Sequence, residues 1–159
     1  MQADEIVYLD ESGIDSSLQR DYARAERGKQ VISDVCGKKN ERTSLIAAYS
    51  SPSKEIIAPY VFNGYTDAER FNGWVKQCLL PCLKKGQTVI MDNAAFHKSK
   101  LTKQLIESVG CKLIYLPTYS PDLNPIEKIW ATLKKSYRKF KSIGYTHKQA
   151  IDAAFLEYL

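Results

Sequence analysis

The sequence predicts an α/β domain: a mixed five-stranded sheet with helices on both faces. Three observations predict it. Three strand-like segments come first and form a meander. Helix and strand patterns then alternate. The chain has 159 residues, enough for one domain with a sizeable core.

The elements follow in order. "EIVYLDES" alternates as a strand, with Ile6, Tyr8 and Asp10 on one face and Val7, Leu9 and Glu11 on the other. "RTSLIAAYS" and "KEIIAPYVF" are two more strands, joined through Ser51, Pro52 and Ser53. A helix follows, with Thr66 and Glu69 as a capping box. Phe71, Trp74, Val75, Cys78 and Leu79 form its buried stripe, and Pro81 ends it. "QTVIMDN" is a short continuous apolar run, the mark of a central parallel strand. A helix over Leu101–Val109 is closed by Gly110, and "CKLIYLP" is the fifth strand. Two helices complete the chain, starting near Pro125 and near Thr146.

One stretch does not fit. Ile14 to Glu41 is polar, carries Arg20, Arg24, Arg27, Lys29, Lys38 and Lys39, and has little periodicity. It is expected to be a loop insertion at about 14–41. Loops of this length inside a domain are usually functional or disordered.

Composition narrows the classes. No apolar run reaches membrane-spanning length, and no leader is recognisable before Asp4 and Glu5. A cytoplasmic protein with no membrane partner is expected. Cys36, Cys78, Cys82 and Cys111 contain no Cys-x-x-Cys pair, and His97 and His147 lie far apart. That argues against zinc and for reduced, part-buried thiols. A net charge of +5 permits a nucleic-acid partner.

Three acids stand at element ends. Asp10 lies near the end of the first strand and Asp92 at the end of "TVIM". If those strands are parallel neighbours, both carboxylates emerge at the edge where open α/β sheets bind ligands. Glu11 rivals Asp10, but alternation sends the two to opposite faces. The third acid follows a stiff lead-in, "LPTYSPDLNPIEKIW". Asn124 suits an N-cap, Pro125 the first helical position, and Glu127 is then the third. An Asn-x-x-Glu capping box alone would account for Glu127. Pro117, Pro121 and Pro125 restrict the lead-in, however, and the helix dipole favours an ionised carboxylate there. Together the three acids supply the hard oxygen ligands that divalent ions require. Two such ions about 3.5–4 Å apart drive in-line attack on phosphate.

"LDES", "VIMDNAAFHKS" and "LPTYSPDLNPIEKIW" closely resemble the motifs of DDE transposases. The nearest group is the bacterial insertion sequence 630 family, related to mariner elements. Thirty-four residues separate Asp92 from Glu127, as in that superfamily, and the resemblance covers nearly the whole chain. It implies a ribonuclease H-like fold. By the same resemblance, Asp10, Asp92 and Glu127 are the catalytic acids and metal ligands, for Mg2+ with Mn2+ as substitute. It further implies DNA as partner, a homodimer when assembled on DNA, and association with the bacterial nucleoid. Two departures stand out. Members usually carry an N-terminal helix-turn-helix region, whereas here residues 1–159 read as a single catalytic domain with that region absent. "YARAERGKQ" also lies where many relatives have a Tyr/Trp-Ala-Pro-rich stretch.

Further residues follow from these motifs. Asn93 and His97 match the family's "DN…H" and could support the site; a structural hydrogen bond would equally explain His97. His147 reads as a helix-start residue in a Thr146/Gln149 capping box. Ile126, Ile129, Trp130, Leu133, Tyr137 and Phe140 form a buried stripe. This leaves Lys134, Lys135, Arg138, Lys139 and Lys141 on an outward face. Such a run is usually a solvated face; on the helix bearing Glu127 it is also a candidate DNA phosphate contact. The polar loop, by its location in mariner-like relatives, is expected to contact a partner subunit.

The expected activity is metal-dependent cutting of DNA at element ends, with transfer of the released 3′-hydroxyl to target DNA. The rival readings are another ribonuclease H-like nuclease and a catalytically inactive DNA-binding remnant of a transposase.

Overall fold

A computed structural model describes residues 5–16, 42–51, 53–93, 98–117 and 121–158. Five strands form one sheet: β1 (Ile6–Asp15), β2 (Arg42–Ser50), β3 (Glu55–Asn63), β4 (Thr88–Met91) and β5 (Lys112–Tyr115). Their order is β3-β2-β1-β4-β5. β1, β2 and β3 are an antiparallel meander, while β4 lies parallel to both β1 and β5. The sheet is therefore mixed and five-stranded, as the alternation of patterns predicted.

The period-2 alternation of the strands feeds two cores. Val7 and Leu9 of β1, Ile46 and Ala48 of β2, and Val89 and Met91 of β4 face one way. They pack against α1 (Ala68–Trp74) and α2 (Lys100–Ser108) through Phe71, Trp74 and Ile106. Ile14, Leu45 and Ala47 face the other way. They pack against α3 (Ile126–Ser142) and α4 (His147–Tyr158) through Ile126, Trp130, Leu133 and Ile151. Buried apolar surface on both faces makes the sheet a rigid plate.

Several local details differ from expectation. The cap of α1 is Asp67, not Thr66; its carboxylate accepts from Arg70 N at 2.8 Å. The helix does not stop cleanly at Pro81. It widens into a π-helical stretch over Val75–Leu79, then a 3-10 turn over Leu80–Cys82. Proline has no N–H to continue the α ladder. On β3, Ala58 and Pro59 together oppose Ala47, and Ala58 takes φ 51°. This bulge sits on an edge strand, where it tolerates a proline. The proposed loop does not begin at Ile14, because β1 runs on to Asp15 and Ile14 is buried against the α3–α4 core. The rest of that loop, residues 17–41, lies outside the described residues.

Two helices end at glycines, the first of them as predicted. Gly110 follows α2 with φ 79°, and Cys111 N donates to Ile106 O. Gly144 follows α3 with φ 99°, and Tyr145 N donates to Phe140 O. Both close a helix in the left-handed conformation that glycine adopts without a Cβ clash. Cys78 is half-buried, Cys82 exposed and Cys111 buried, all as free thiols; Cys36 is outside the described residues. No helix among the described residues is long and apolar enough to cross a membrane.

Candidate active site

Asp10 belongs to the face of β1 that looks towards α3. Its residue is 6% exposed. Trp130 Nε1 donates to Asp10 Oδ2 at 3.2 Å. The Asp10 carboxyl is also hydrogen-bonded to that of Glu127. Two carboxyls can share such a contact only if one holds a proton. The pKa of Asp10 is pushed up to about 9. Burial is the largest cause, followed by the hydrogen bond to Glu127 and then by the negative charges of Glu127, Glu11 and Asp92. Every one of these influences acts in the same direction.

Asp92 follows the last residue of β4 and is half-buried. The parallel register pairs Tyr8 with Ile90. Continued two residues, that register sets Asp10 level with Asp92; Asp92 lies just past the end of β4, but Asp10 lies mid-strand and not at a strand end as expected, because β1 runs on to Asp15. Glu11 occupies the other line of β1, with Val7 and Leu9, yet its charge still reaches Asp10. Asn93 is half-buried beside Asp92. His97 lies outside the described residues.

The start of α3 departs from the predicted capping box. The helix begins at Ile126, with Pro125 at the cap position. Asn124 is buried; its Oδ1 accepts from Ile126 N at 3.2 Å and its Nδ2 donates to Leu9 O at 3.3 Å. Asn124 therefore satisfies one helix-end donor and ties the helix start to the residue before Asp10. Glu127 is exposed and turns to Asp10. Both features come from one motif: the asparagine anchors the turn, and the glutamate three residues on is delivered to β1.

The cations of α3 are sorted by their surroundings. Lys135 and Arg138 are exposed, while Lys134 and Lys141 are half-buried. Lys139 Nζ lies 2.9 Å from Glu157 Oε1 of α4. At 1.5 Å rise per residue, Lys134 is about 10 Å along the helix from Glu127, and Lys141 about 21 Å.

Two features escaped the sequence reading. Trp130 was expected only as a core residue, though a buried indole N–H normally finds an acceptor. Spacing gave the clue: Trp130 is three residues from Glu127, on the same helix face. His147 does sit beside the Thr146/Gln149 capping box, whose reciprocal bonds are 3.1 and 3.3 Å. Its ring is also buried between Thr43 Oγ1 and Tyr137 OH, each at 2.7 Å.

A model of the DDE superfamily endonuclease matches residues 5–147. This chain belongs to that family. It is 43% identical over 47 residues to the "Insertion element IS630 uncharacterized 39 kDa protein" of Shigella sonnei. That match covers 29% of this chain and 14% of the relative. Among solved structures it resembles the Mos1 strand transfer complex, with a TM-score of 0.60 and 16% identity. The overlap takes in 94% of this chain and 50% of the Mos1 chain. The catalytic core of BIV integrase matches with a TM-score of 0.55 at 13% identity, over 96% of this chain and 81% of that one. The five-stranded DDE domain is thus ribonuclease H-like.

The donor set suits a hard divalent cation. Asp10, Asp92 and Glu127 offer only oxygen ligands, and the charges of the other two acids work against ionisation of Asp10. A cation reverses that influence. Among the described residues, no three His, Cys, Asp or Glu side chains are grouped closely enough to hold a metal ion as they stand.

Proposed function

We propose that this chain is a metal-dependent DNA endonuclease and strand-transfer domain that acts at the ends of a transposable element. The observation that carries the reading is the carboxyl contact between Asp10 and Glu127, with Asp92 leaving the neighbouring parallel strand at the same level. Such an arrangement has no evident structural use, because a buried acid set against neighbouring negative charge costs stability unless something offsets that charge.

In this reading Asp10, Asp92 and Glu127 hold magnesium, with manganese as a substitute. When bound, paired divalent ions supply an activated oxygen nucleophile and charge stabilisation for in-line displacement at phosphorus. The chain's own part is positional. β1 and β4 hold two acids on a sheet with little freedom, and α3 brings the third. Asn93 and His97 support this edge, and Lys134, Lys135, Arg138, Lys139 and Lys141 meet the DNA backbone. Residues 1–159 act as one catalytic domain, paired with a second copy on DNA in the bacterial cytoplasm. Cutting and joining use one site because water and a 3′-hydroxyl attack phosphorus with the same geometry.

Nicking of supercoiled DNA in Mg2+ or Mn2+ tests this. Glu127→Gln is expected to lower the rate at least about 100-fold, a loss typical for a group that stabilises transition-state charge. DNA binding without wild-type nicking would identify an inactive remnant. Cleavage confined to RNA–DNA hybrids would identify a ribonuclease instead.

A further inference from the structure

We infer that Trp130 is a positioning residue for the acidic site: its indole N–H fixes the orientation of the Asp10 carboxylate in which that group accepts a divalent ion. The inference rests on the functional reading above and adds a residue to it.

The argument starts from what an aspartate lacks. The terminal torsion of its carboxylate is broad, so neither oxygen has a set direction unless a partner imposes one. At Asp10 the partner for Oδ2 is Trp130 Nε1, at 3.2 Å. An indole N–H can only donate, in contrast to a hydroxyl or an amide. It therefore holds Oδ2 as an acceptor in every state of the site. Both residues are buried, Trp130 at 3% and Asp10 at 6% exposure. Water competes little for the bond.

The tie is also directed. Trp130 and Glu127 are on one face of α3, one turn apart, so the helix that presents Glu127 to Asp10 also sets the angle of Asp10. Trp130 packs with Ile129 and Leu133 in the core between α3 and the sheet, which removes its own freedom. Asn124 makes a second tie, from the same helix to Leu9 O in the β1 backbone. The backbone bond sets the distance between strand and helix. The indole bond sets the carboxylate rotation, which the backbone does not control.

Side chains that orient ligands from behind typically change metal affinity by about 10- to 100-fold when altered. The test uses the whole chain and Mg2+, with binding measured by calorimetry. The protein has two tryptophans, hence two indole N–H resonances, and Trp130→Phe identifies one by removing it. In the wild type the Trp130 resonance is expected to shift with Mg2+ at the calorimetric dissociation constant, while that of Trp74 stays in place. Trp130→Phe is expected to weaken Mg2+ binding about 10- to 100-fold. Leu133→Ala on the same helix, which loosens the core without touching Asp10, is expected to change it by less than about threefold.

Three results would overturn the inference while leaving the functional reading intact. One is Mg2+ binding that Asp10→Asn abolishes but that leaves both indole signals unmoved. The second is equal Mg2+ affinity in Trp130→Phe and wild type. The third is an equal loss in Leu133→Ala, which would mark a general loosening. Failure to bind Mg2+, or binding that survives Asp10→Asn, overturns both. If Trp130→Phe does not fold, the wild-type resonances still decide, since Trp74 donates to Ala58 O of β3 in the other core and can be removed instead.

Discussion

Asp10 gathers burial, a carboxyl contact and three neighbouring negative charges at one side chain. Its pKa in the folded protein is about 9, against 3.8 for an unperturbed aspartate, chiefly through burial and the Glu127 contact. The folded state therefore binds this proton more tightly than the unfolded state does. The stability gained is complete below about pH 4 and is lost as pH rises towards 9, with a slope of at most about 1.4 kcal/mol per pH unit. Urea unfolding in the presence of EDTA is expected to show stability falling between pH 5 and pH 8. Asp10→Asn removes this titration and should flatten the fall; an equally steep profile in the variant would place its cause elsewhere. Asp92→Asn offers a companion measurement. It deletes one of the charges that oppose ionisation of Asp10 with little change of shape, so the metal-free variant should be at least as stable as the wild type. Magnesium should raise the wild-type melting temperature by mass action, about 2.7 kcal/mol at a hundredfold excess over the dissociation constant, and the variant far less. A much lower melting temperature for metal-free Asp92→Asn would instead assign Asp92 a structural hydrogen-bonding role.

At the scale of elements, the strands were legible because alternation is a local signal. Val7 and Leu9 against Ile14 on β1, and Ile46 and Ala48 against Leu45 and Ala47 on β2, divide between the two cores as a period of two requires. Asp92 could be placed past a strand end for the same reason, whereas Asp10 was expected at the end of β1 and lies in its middle, because pairing with β2 carries the strand on to Asp15. Partner choice was less legible, because it depends on residues distant in sequence. Asn124 has the look of a plain helix cap, yet half of its hydrogen bonding goes to Leu9, 115 positions away. Nothing local tells Glu127 in a capping box from Glu127 turned to a strand. His147 is the clearest case: a first-turn residue by pattern, it joins β2 to α3 from the start of α4. His147→Ala removes the ring partner of two buried hydroxyls and opens a cavity between the helices. A loss of about 2–4 kcal/mol is expected from chemical denaturation. Thr43→Val should cost less, about 1 kcal/mol, since it deletes one partner and keeps the volume. A His147→Ala loss below that of Thr43→Val would show that the ring is not a structural link.

For the whole molecule, the two-core plate leaves α3 as the element that joins chemistry to charge. Its first turn carries Glu127, its buried stripe anchors it to the sheet, and its cations extend away from the site. The net charge of +5 gives a general attraction for phosphate, but the geometry ranks the contributors. Lys135 and Arg138 are exposed. Lys139 is engaged with Glu157, whose carboxylate also accepts from Ser136. That exposed ion pair contributes little to stability, yet breaking it lowers what Lys139 can add to DNA affinity. Each phosphate contact contributes about −0.9 to the slope of log affinity against log salt. Titrations of duplex DNA in increasing KCl are expected to show the slope becoming shallower by about 1.8 when Lys135→Ala and Arg138→Ala are combined. Lys139→Ala should change it by clearly less than about 0.9. The affinity lost at low salt should be similar for unrelated DNA sequences, because phosphate contacts read no bases. An unchanged slope in the double variant would move the DNA path off this face of α3. A full unit lost with Lys139→Ala would mean that its pairing with Glu157 gives way when DNA binds.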